Sequence, residues 1–219
     1  MEATEPLHRA RREPDRGLDL LLTALQTDGQ LTYEGRFWTY KDVPIELQPY
    51  QRPYPPLWRP GTLDTAAALG VSTIVGGPLP LVAKSVARYH ELHQPGVGRH
   101  HTPTIGGIRR IYVAPTDAEA EDRARASWAA LTEHLTRLFR RYELQPPNDP
   151  TLGGNFDLAM EVQAALVGSP AKIRDHVEQF AATSGTDYFV GSFAWGDFTA
   201  AESHRSLELF AEHVALPMS

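Results

Sequence analysis

The residues with the clearest capacity for chemistry are Trp58-Arg59-Pro60-Gly61-Thr62, where a short apolar run gives way to a helix start. A helix N-terminus presents unpaired N–H groups and a partial positive charge, which suits an anion such as a phosphate. Arg59 can add a charge-assisted hydrogen bond and Thr62 a hydroxyl, while Gly61 lets the backbone approach a ligand closely. The same residues also describe a plain loop with a surface arginine and a threonine cap. Gly76-Gly77 close the next apolar run, and a glycine pair before Pro78 also reads as a simple turn. Ser192, Phe193 and Trp195 end the last apolar run, where aromatics can line a substrate pocket or pack a rim. His90, His93, His100 and His101 cluster, and His90-x-x-His93 can set two imidazoles on one helix face. No His-Glu-x-x-His pattern accompanies them, and a solvated helix end with its loop accounts for them, so no metal site is expected. Hydrolase and nucleotide-triphosphatase readings lack their usual signatures, since there is no Gly-x-Ser-x-Gly elbow, P-loop or dinucleotide fingerprint.

Alternating strands and helices must position these residues. Leu18, Leu21, Leu22 and Leu25 mark one face of a helix ending near Asp28-Gly29. Residues 31–51 read as loop with a short extended part. Leu57-Trp58 starts a short strand, and Thr62 or Asp64 caps a short helix over Thr65–Leu69. Val71 to Val75 is a strand, and Pro80 opens a helix carrying Leu81, Val82, Val86 and Tyr89. Ile105 to Ala114 is a strand, and Thr116-Asp117-Ala118-Glu119 caps a long amphipathic helix. Phe156 to Val167 is expected to be mostly helical. Ser169-Pro170 caps the next helix, which Gly185 closes. Tyr188–Phe193 is the last strand, and Ser206 to Val214 the last helix. About four strands alternating with helices argue for βα units and a parallel sheet. The whole of 1–219 is expected to form one domain, with residues 1–15 flexible.

Composition narrows the setting. A net charge of −6 advertises no nucleic-acid partner. The absence of cysteine removes disulfides and thiolate chemistry together, and fits a cytoplasmic protein. No apolar run approaches the roughly 20 residues of a membrane span, and the start, charged and proline-containing, has no signal-peptide core.

The order of the pieces resembles a known family. Tyr33-Glu34-Gly35, the proline-rich Gln48-Pro49 to Pro53-Tyr54-Pro55-Pro56-Leu57-Trp58, and Ala66-Ala67-Ala68-Leu69-Gly70 look like the middle of the bacterial luciferase-like flavin-dependent monooxygenases. Tyr112-Val113-Ala114-Pro115-Thr116-Asp117-Ala118-Glu119-Ala120 resembles the family's sixth strand and the start of its helix. Val167-Gly168-Ser169-Pro170, Ser184-Gly185-Thr186-Asp187 and the segment Arg205 to Val214 are similar to its last βα region and C-terminal helix. The resemblance implies a luciferase-like α/β fold, a partial (β/α)8 TIM barrel lacking roughly the first four strands. It implies FMN, or the deazaflavin F420 in some branches, at the carboxyl ends of the strands. Trp58, Arg59, Gly61 and Thr62 would then hold the flavin phosphate, and Gly76 and Gly77 would leave room for the flat ring. Arg59 and Pro60 depart from the small and hydroxyl residues common there, which leaves the register open by one or two positions. The implied reaction is oxygenation of a small organic substrate by O2 and reduced FMN, with a flavin reductase as a possible partner. Hydride transfer with F420, or a non-catalytic remnant that pairs with another chain, are the competing expectations. No nucleic-acid or membrane partner is expected; a homo-oligomer or a complementing chain is.

Overall fold

The computed structural model describes residues 15–61, 63–94, 101–145 and 150–216. Thr62, His100 and the first fourteen residues, on which some of these expectations fall, lie outside the described residues. The chain divides into two compact units, one reaching to Leu57 and the other beginning at Trp58.

The first unit is a helix, α1 (Asp15–Gln26), followed by an antiparallel hairpin of β1 (Gly29–Glu34) and β2 (Thr39–Ile45). The hairpin replaces the loop expected over residues 31–51. Its turn closes where the Gly35 N–H donates to the Trp38 carbonyl at 2.9 Å. All of β2 except Ile45 is exposed, so no inward face imposed the period-two pattern that marks a strand. Pro44 is tolerated because each strand of a two-stranded ribbon keeps one unpaired edge.

The second unit is built on a parallel sheet. Trp58 makes a parallel bridge to Ser72. After α2 (Leu63–Leu69) comes β3 (Thr73–Val75), then α3 (Leu79–Leu92) with Pro80 in its first turn, then β4 (Ile105–Val113). The long helix α4 (Asp117–Arg141) follows, and Thr116 caps it by accepting from the Glu119 N–H. A 3-10 turn (Pro150–Gly153), α5 (Phe156–Glu161) and β5 (Ala165–Gly168) lead to α6 (Pro170–Ser184), β6 (Tyr188–Ser192) and α7 (Ala200–Phe210). A π-turn, Ala211–Ala215, closes the described chain.

Strand β4 pairs in parallel with β3 over Ile105 to Gly107, with β6 over Gly106 to Arg110, and with β5 over Arg110 to Val113. Strands β5 and β6 therefore both pair with β4, β6 along its first two-thirds and β5 at its carboxyl end, so the sheet does not run in strict sequence order as the expected barrel would. Strand β5 corrects the helix expected over residues 156–167. That helix ends at Glu161, Gln163 turns the chain at φ 53°, and the wholly buried Ala165-Leu166-Val167-Gly168 is strand. A fully buried strand carries no alternation, so periodicity cannot separate it from buried helix. The last helix starts at Ala200 rather than Ser206. Thr199 and Glu202 form a reciprocal capping box there, a signal present in the sequence as Thr-x-x-Glu. Ser169 precedes α6 without capping it by its side chain. Its N–H donates instead to Asp117 Oδ1 at 2.7 Å.

Side chains of the sheet separate into two faces. Ile105, Arg109, Ile111 and Val113 of β4 point to one face, sealed by α3, α6 and α7 through Val86, Phe180, Ile173, Val177 and Leu209. Gly107 belongs to this face, and Phe180 occupies the space its side chain would need: a Cβ would lie 2.4 Å from Phe180 Cζ. On the other face Tyr112, Ala165 and Val167 are covered by Trp128 and Ala124 of α4, Phe156 of α5, and Trp195. The segment bearing Trp195 is fastened to α4 by charge. Arg123 Nε donates to Glu202 Oε1 at 2.5 Å and Nη1 to Asp197 Oδ1 at 2.9 Å, while the Ser127 hydroxyl donates to the same Asp197 oxygen. The Arg123 hydrogen bond first, then those from the Thr199 N–H and hydroxyl, hold the Glu202 carboxyl down at about 2.

Two predictions follow from this packing. Gly107→Ala forces Phe180 to move and should lower the unfolding free energy by about 1–3 kcal/mol, seen as a reduced urea midpoint. An unchanged midpoint would show that Phe180 does not seal that face. Arg123→Ala should cost about 1–2 kcal/mol at neutral pH, because an exposed pair is worth little but this one belongs to a network. Since the folded-state carboxyl lies below its unfolded value, the contribution is present above that value and lost as pH falls toward about 2. Wild type and variant should therefore converge in stability as acid is added; parallel curves would sink the assignment.

Candidate functional site

The turn Trp58 to Gly61 sits at the edge of the parallel run. Trp58 pairs with Ser72, at the amino end of β3, and the Arg59 N–H donates to the Ser72 carbonyl at 2.8 Å. The Thr73 hydroxyl then donates to the Arg59 carbonyl at 2.9 Å, so the segment follows β3 toward its carboxyl end. Gly61 bends the chain there at φ 98°, with no atom within 4 Å of where a Cβ would stand. The helix beyond, α2, is only seven residues long, which limits the dipole an anion would meet.

Gly76 and Gly77 follow β3. A Cβ on Gly76 would lie 2.9 Å from Ile108 Cγ2, so the glycine keeps that strand end low beside β4. Gly77 has φ 98°, a left-handed geometry that suits glycine in the turn before Pro78. The pair forms the turn before Pro78, and the room at Gly76 is taken up by Ile108.

Registers bring further residues to this side of the sheet. Ile74, Gly106 and Tyr188 are neighbours across β3, β4 and β6, and Ile108 and Val190 are the next such pair. Gly106 is buried beneath its neighbours: a Cβ there would meet Ile74 Cγ1 at 3.3 Å and Trp58 Cζ3 at 3.5 Å, so the glycine lets the Trp58 ring lie close to the strand. Above it the Trp58 and Tyr188 rings lie with centroids 5.7 Å apart. They are 39% and 56% exposed, and Ile108 is also exposed. The result is an apolar strip in which Trp58, Ile108 and Tyr188 are exposed, while Gly106 and Gly76 let Trp58 and Ile108 pack close to the backbone. Tyr188, Ile108 and Gly106 escaped the sequence reading because only strand register reveals a shared face. The alternation of β6 was the one signal available.

The residues expected to line a substrate pocket divide. Ser192 pairs with Arg110 and shares the side of Tyr188 and Val190. Phe193 instead packs edge-on to Phe210, centroids 5.2 Å apart, in the helix-covered core. Trp195 is buried, edge-on to Trp128, with its indole Nε1 donating to the Ile111 carbonyl at 3.1 Å. Both aromatics take the packing alternative. Arg109, on the sealed face, is a charged group drawn inside. It lies 4.1 Å from the Phe180 ring centroid and its Nη1 donates to the Ile108 carbonyl, while burial lowers its pKa to about 10.

In the first unit α1 and the hairpin frame a shallow groove lined by Gly17, Leu21, Ala24, Leu31, Tyr40 and Val43, apolar but for the tyrosine hydroxyl. Among the described residues no cluster of histidine, aspartate and glutamate could hold a metal ion, and no helix is long and apolar enough to cross a membrane.

A flat ring would meet exposed aromatic side chains at Trp58 and Tyr188, and the open space beside Gly61 could admit an anionic tail. Protein y4wF of Sinorhizobium fredii is 27% identical over 184 residues, covering 82% of this chain and 53% of its own length. The chain thus spans about half the length of that relative. Monooxygenase RslO1 of Streptomyces bottropensis superposes with a TM-score of 0.73 at 21% identity, over 97% of this chain and 63% of its own. The oxygenating constituent of 3,6-diketocamphane monooxygenase from Pseudomonas putida, solved with FMN, gives 0.67 at 19% identity, over 92% and 62%. The coenzyme F420-dependent tetrahydromethanopterin reductase of Methanopyrus kandleri gives 0.62 at 13%, over 94% and 63%. At such identities the solved structures establish a shared α/β fold. The model of one family, described as luciferase-like monooxygenase, matches residues 8–187, and the chain belongs to that family.

Proposed function

We propose that the chain is part of a flavin-dependent monooxygenase in which reduced FMN and O2 oxygenate a small organic substrate. What supports this reading is the luciferase-like family match over residues 8–187, with the exposed Trp58–Tyr188 pair and the open space beside Gly61 as places where a cofactor could meet the chain. On this reading both units belong to one luciferase-like domain, and Trp58, β3 and β4 supply adjacent staves of a (β/α)8 barrel. The flavin, when bound, supplies the activation of dioxygen. Arg59, Gly61 and Thr62 would hold its phosphate, Gly76 and Gly77 would give clearance at the strand ends, and the exposed Trp58 and Tyr188 rings would pack against the flavin ring. Ser192 offers a hydroxyl on the same side to orient a substrate. No acid–base pair is needed, because positioning and dryness are the protein's contribution. A flavin reductase is the partner that would deliver reduced cofactor. The reading places the protein in the cytoplasm, in keeping with a chain that has no cysteine.

The likeness to an F420-dependent reductase favours a second reading, hydride transfer with F420 on the same face. Purified protein incubated with FMN or F420, desalted and scanned for retained absorbance separates the two. FMN retention supports the monooxygenase and F420 retention the reductase. Retention of neither by folded protein sinks both, leaving a non-catalytic chain that pairs with another. In the chain that retains cofactor, Arg59→Ala should weaken binding by roughly 1–3 kcal/mol through loss of a charged hydrogen bond, measured by fluorescence titration. Unaltered affinity would remove Arg59 from the phosphate site.

A further inference from the structure

Helix α4 is 25 residues long, about 37 Å at 1.5 Å per residue, and its apolar seam outlasts the core it covers. Ala124, Trp128, Leu131, Leu135, Leu138 and Tyr142 recur at spacings of four and three, the seam of a helix that packs lengthwise against another. Ala124 and Trp128 are buried against β4 and β5, and Leu131 packs partly against the same cluster. Beyond that point the seam emerges. Leu135 is 41% exposed, Leu138 55% and Tyr142 62%. Thr132 and Thr136, on the adjacent face, are buried instead, with hydroxyls turned back to the carbonyls of Trp128 and Thr132. The exposed leucines are therefore a continuation of the packing seam and not a frayed helix end.

Charge beside the seam is one-sided. His134, Arg137 and Arg141 are exposed and line its open flank, whereas Arg140 pairs with Glu133 on the far side of the helix. This basic flank belongs to a chain whose net charge is −6. A second copy docked antiparallel would set one basic flank against the other, a like-charge arrangement that costs binding. A narrow seam of single residues per turn also suits a helix better than a bilayer, which needs a broad apolar face.

We propose that the exposed half of α4 is a docking surface for an amphipathic helix of another protein, one with acidic residues beside its apolar stripe. Leu135 and Leu138 enter between the partner's apolar side chains, Tyr142 closes the end, and Arg137 and Arg141 pair with the partner's carboxylates. Such a surface is small, on the order of 1,000 Å² in total, so the complex is weak and its affinity falls with salt.

Two fluorescent probe peptides test this: a leucine-seamed helix flanked by glutamate, and the same helix flanked by lysine, titrated into the full chain with anisotropy as readout. The glutamate peptide should bind at least about tenfold tighter. Leu138→Glu, on a surface the fold does not use, should abolish binding while circular dichroism stays unchanged. Arg137→Glu with Arg141→Glu should reverse the preference toward the lysine peptide, which a merely structural role for the arginines would not do. Equal affinity for the two peptides, or none for either, overturns the proposal. So does concentration-dependent self-association that Leu138→Glu removes, or Leu138-dependent binding to phosphatidylserine vesicles.

Discussion

Everything in the second unit hangs on β4. It is the one strand that pairs with β3, β5 and β6, and its backbone also receives the surrounding elements. The Ile105 N–H donates to Asp187, the Val113 N–H to the Ser206 hydroxyl, and the Ile111 carbonyl accepts from Trp195. A strand so placed must satisfy both edges and both faces with nine residues, and consecutive glycines make this possible. Gly107 yields space to Phe180 on the helix side, and Gly106 yields space to Trp58 on the other. Side chains at either position would drive the layers apart, because packed interiors cannot absorb even one methyl group without movement.

The two faces have opposite fates. The helix side is closed by Val86, Phe180, Val177 and Leu209, and even Arg109 is held there against an aromatic ring. The opposite side is closed only toward the carboxyl end of β4, where Trp195, Trp128 and Phe198 gather around Tyr112. Toward the amino end it stays open, exposing Trp58, Ile108 and Tyr188. An open apolar face beside a closed one is the arrangement a ligand-binding sheet needs: rigidity behind, access in front. The Arg123–Asp197–Glu202 network contributes by fixing the segment after β6, so that Ser192 is presented from an anchored strand end rather than a loose loop.

Much of this was legible in the residues. The helix beginning at Leu79 announced itself through Pro80 and an apolar stripe, the long helix through Thr116 and Glu119, and α6 through Gly185, which stands at φ 71°. These are local signals, set by backbone hydrogen bonding and steric preference within a few residues. The parallel sheet followed from alternation of strand and helix, and the family from the order of weak motifs. Strand β5 and the hairpin were not legible. One is buried on both faces and the other mostly exposed, so neither carries the alternation that betrays a strand.

The candidate site shows the same division. Composition and spacing alone determined that Trp58 to Gly61 leads into a helix with an open glycine, that Gly76-Gly77 ends a strand, and that no cysteine chemistry operates. Only the tertiary structure decided that Trp195 packs the core while Tyr188, at the start of β6, faces outward beside Trp58. The physical reason is that a side chain's environment depends on which strand lies next to it and in what register. Register is a long-range property, fixed by pairing between segments far apart in the chain, and a shift of one residue would turn Tyr188 inward and Phe189 outward.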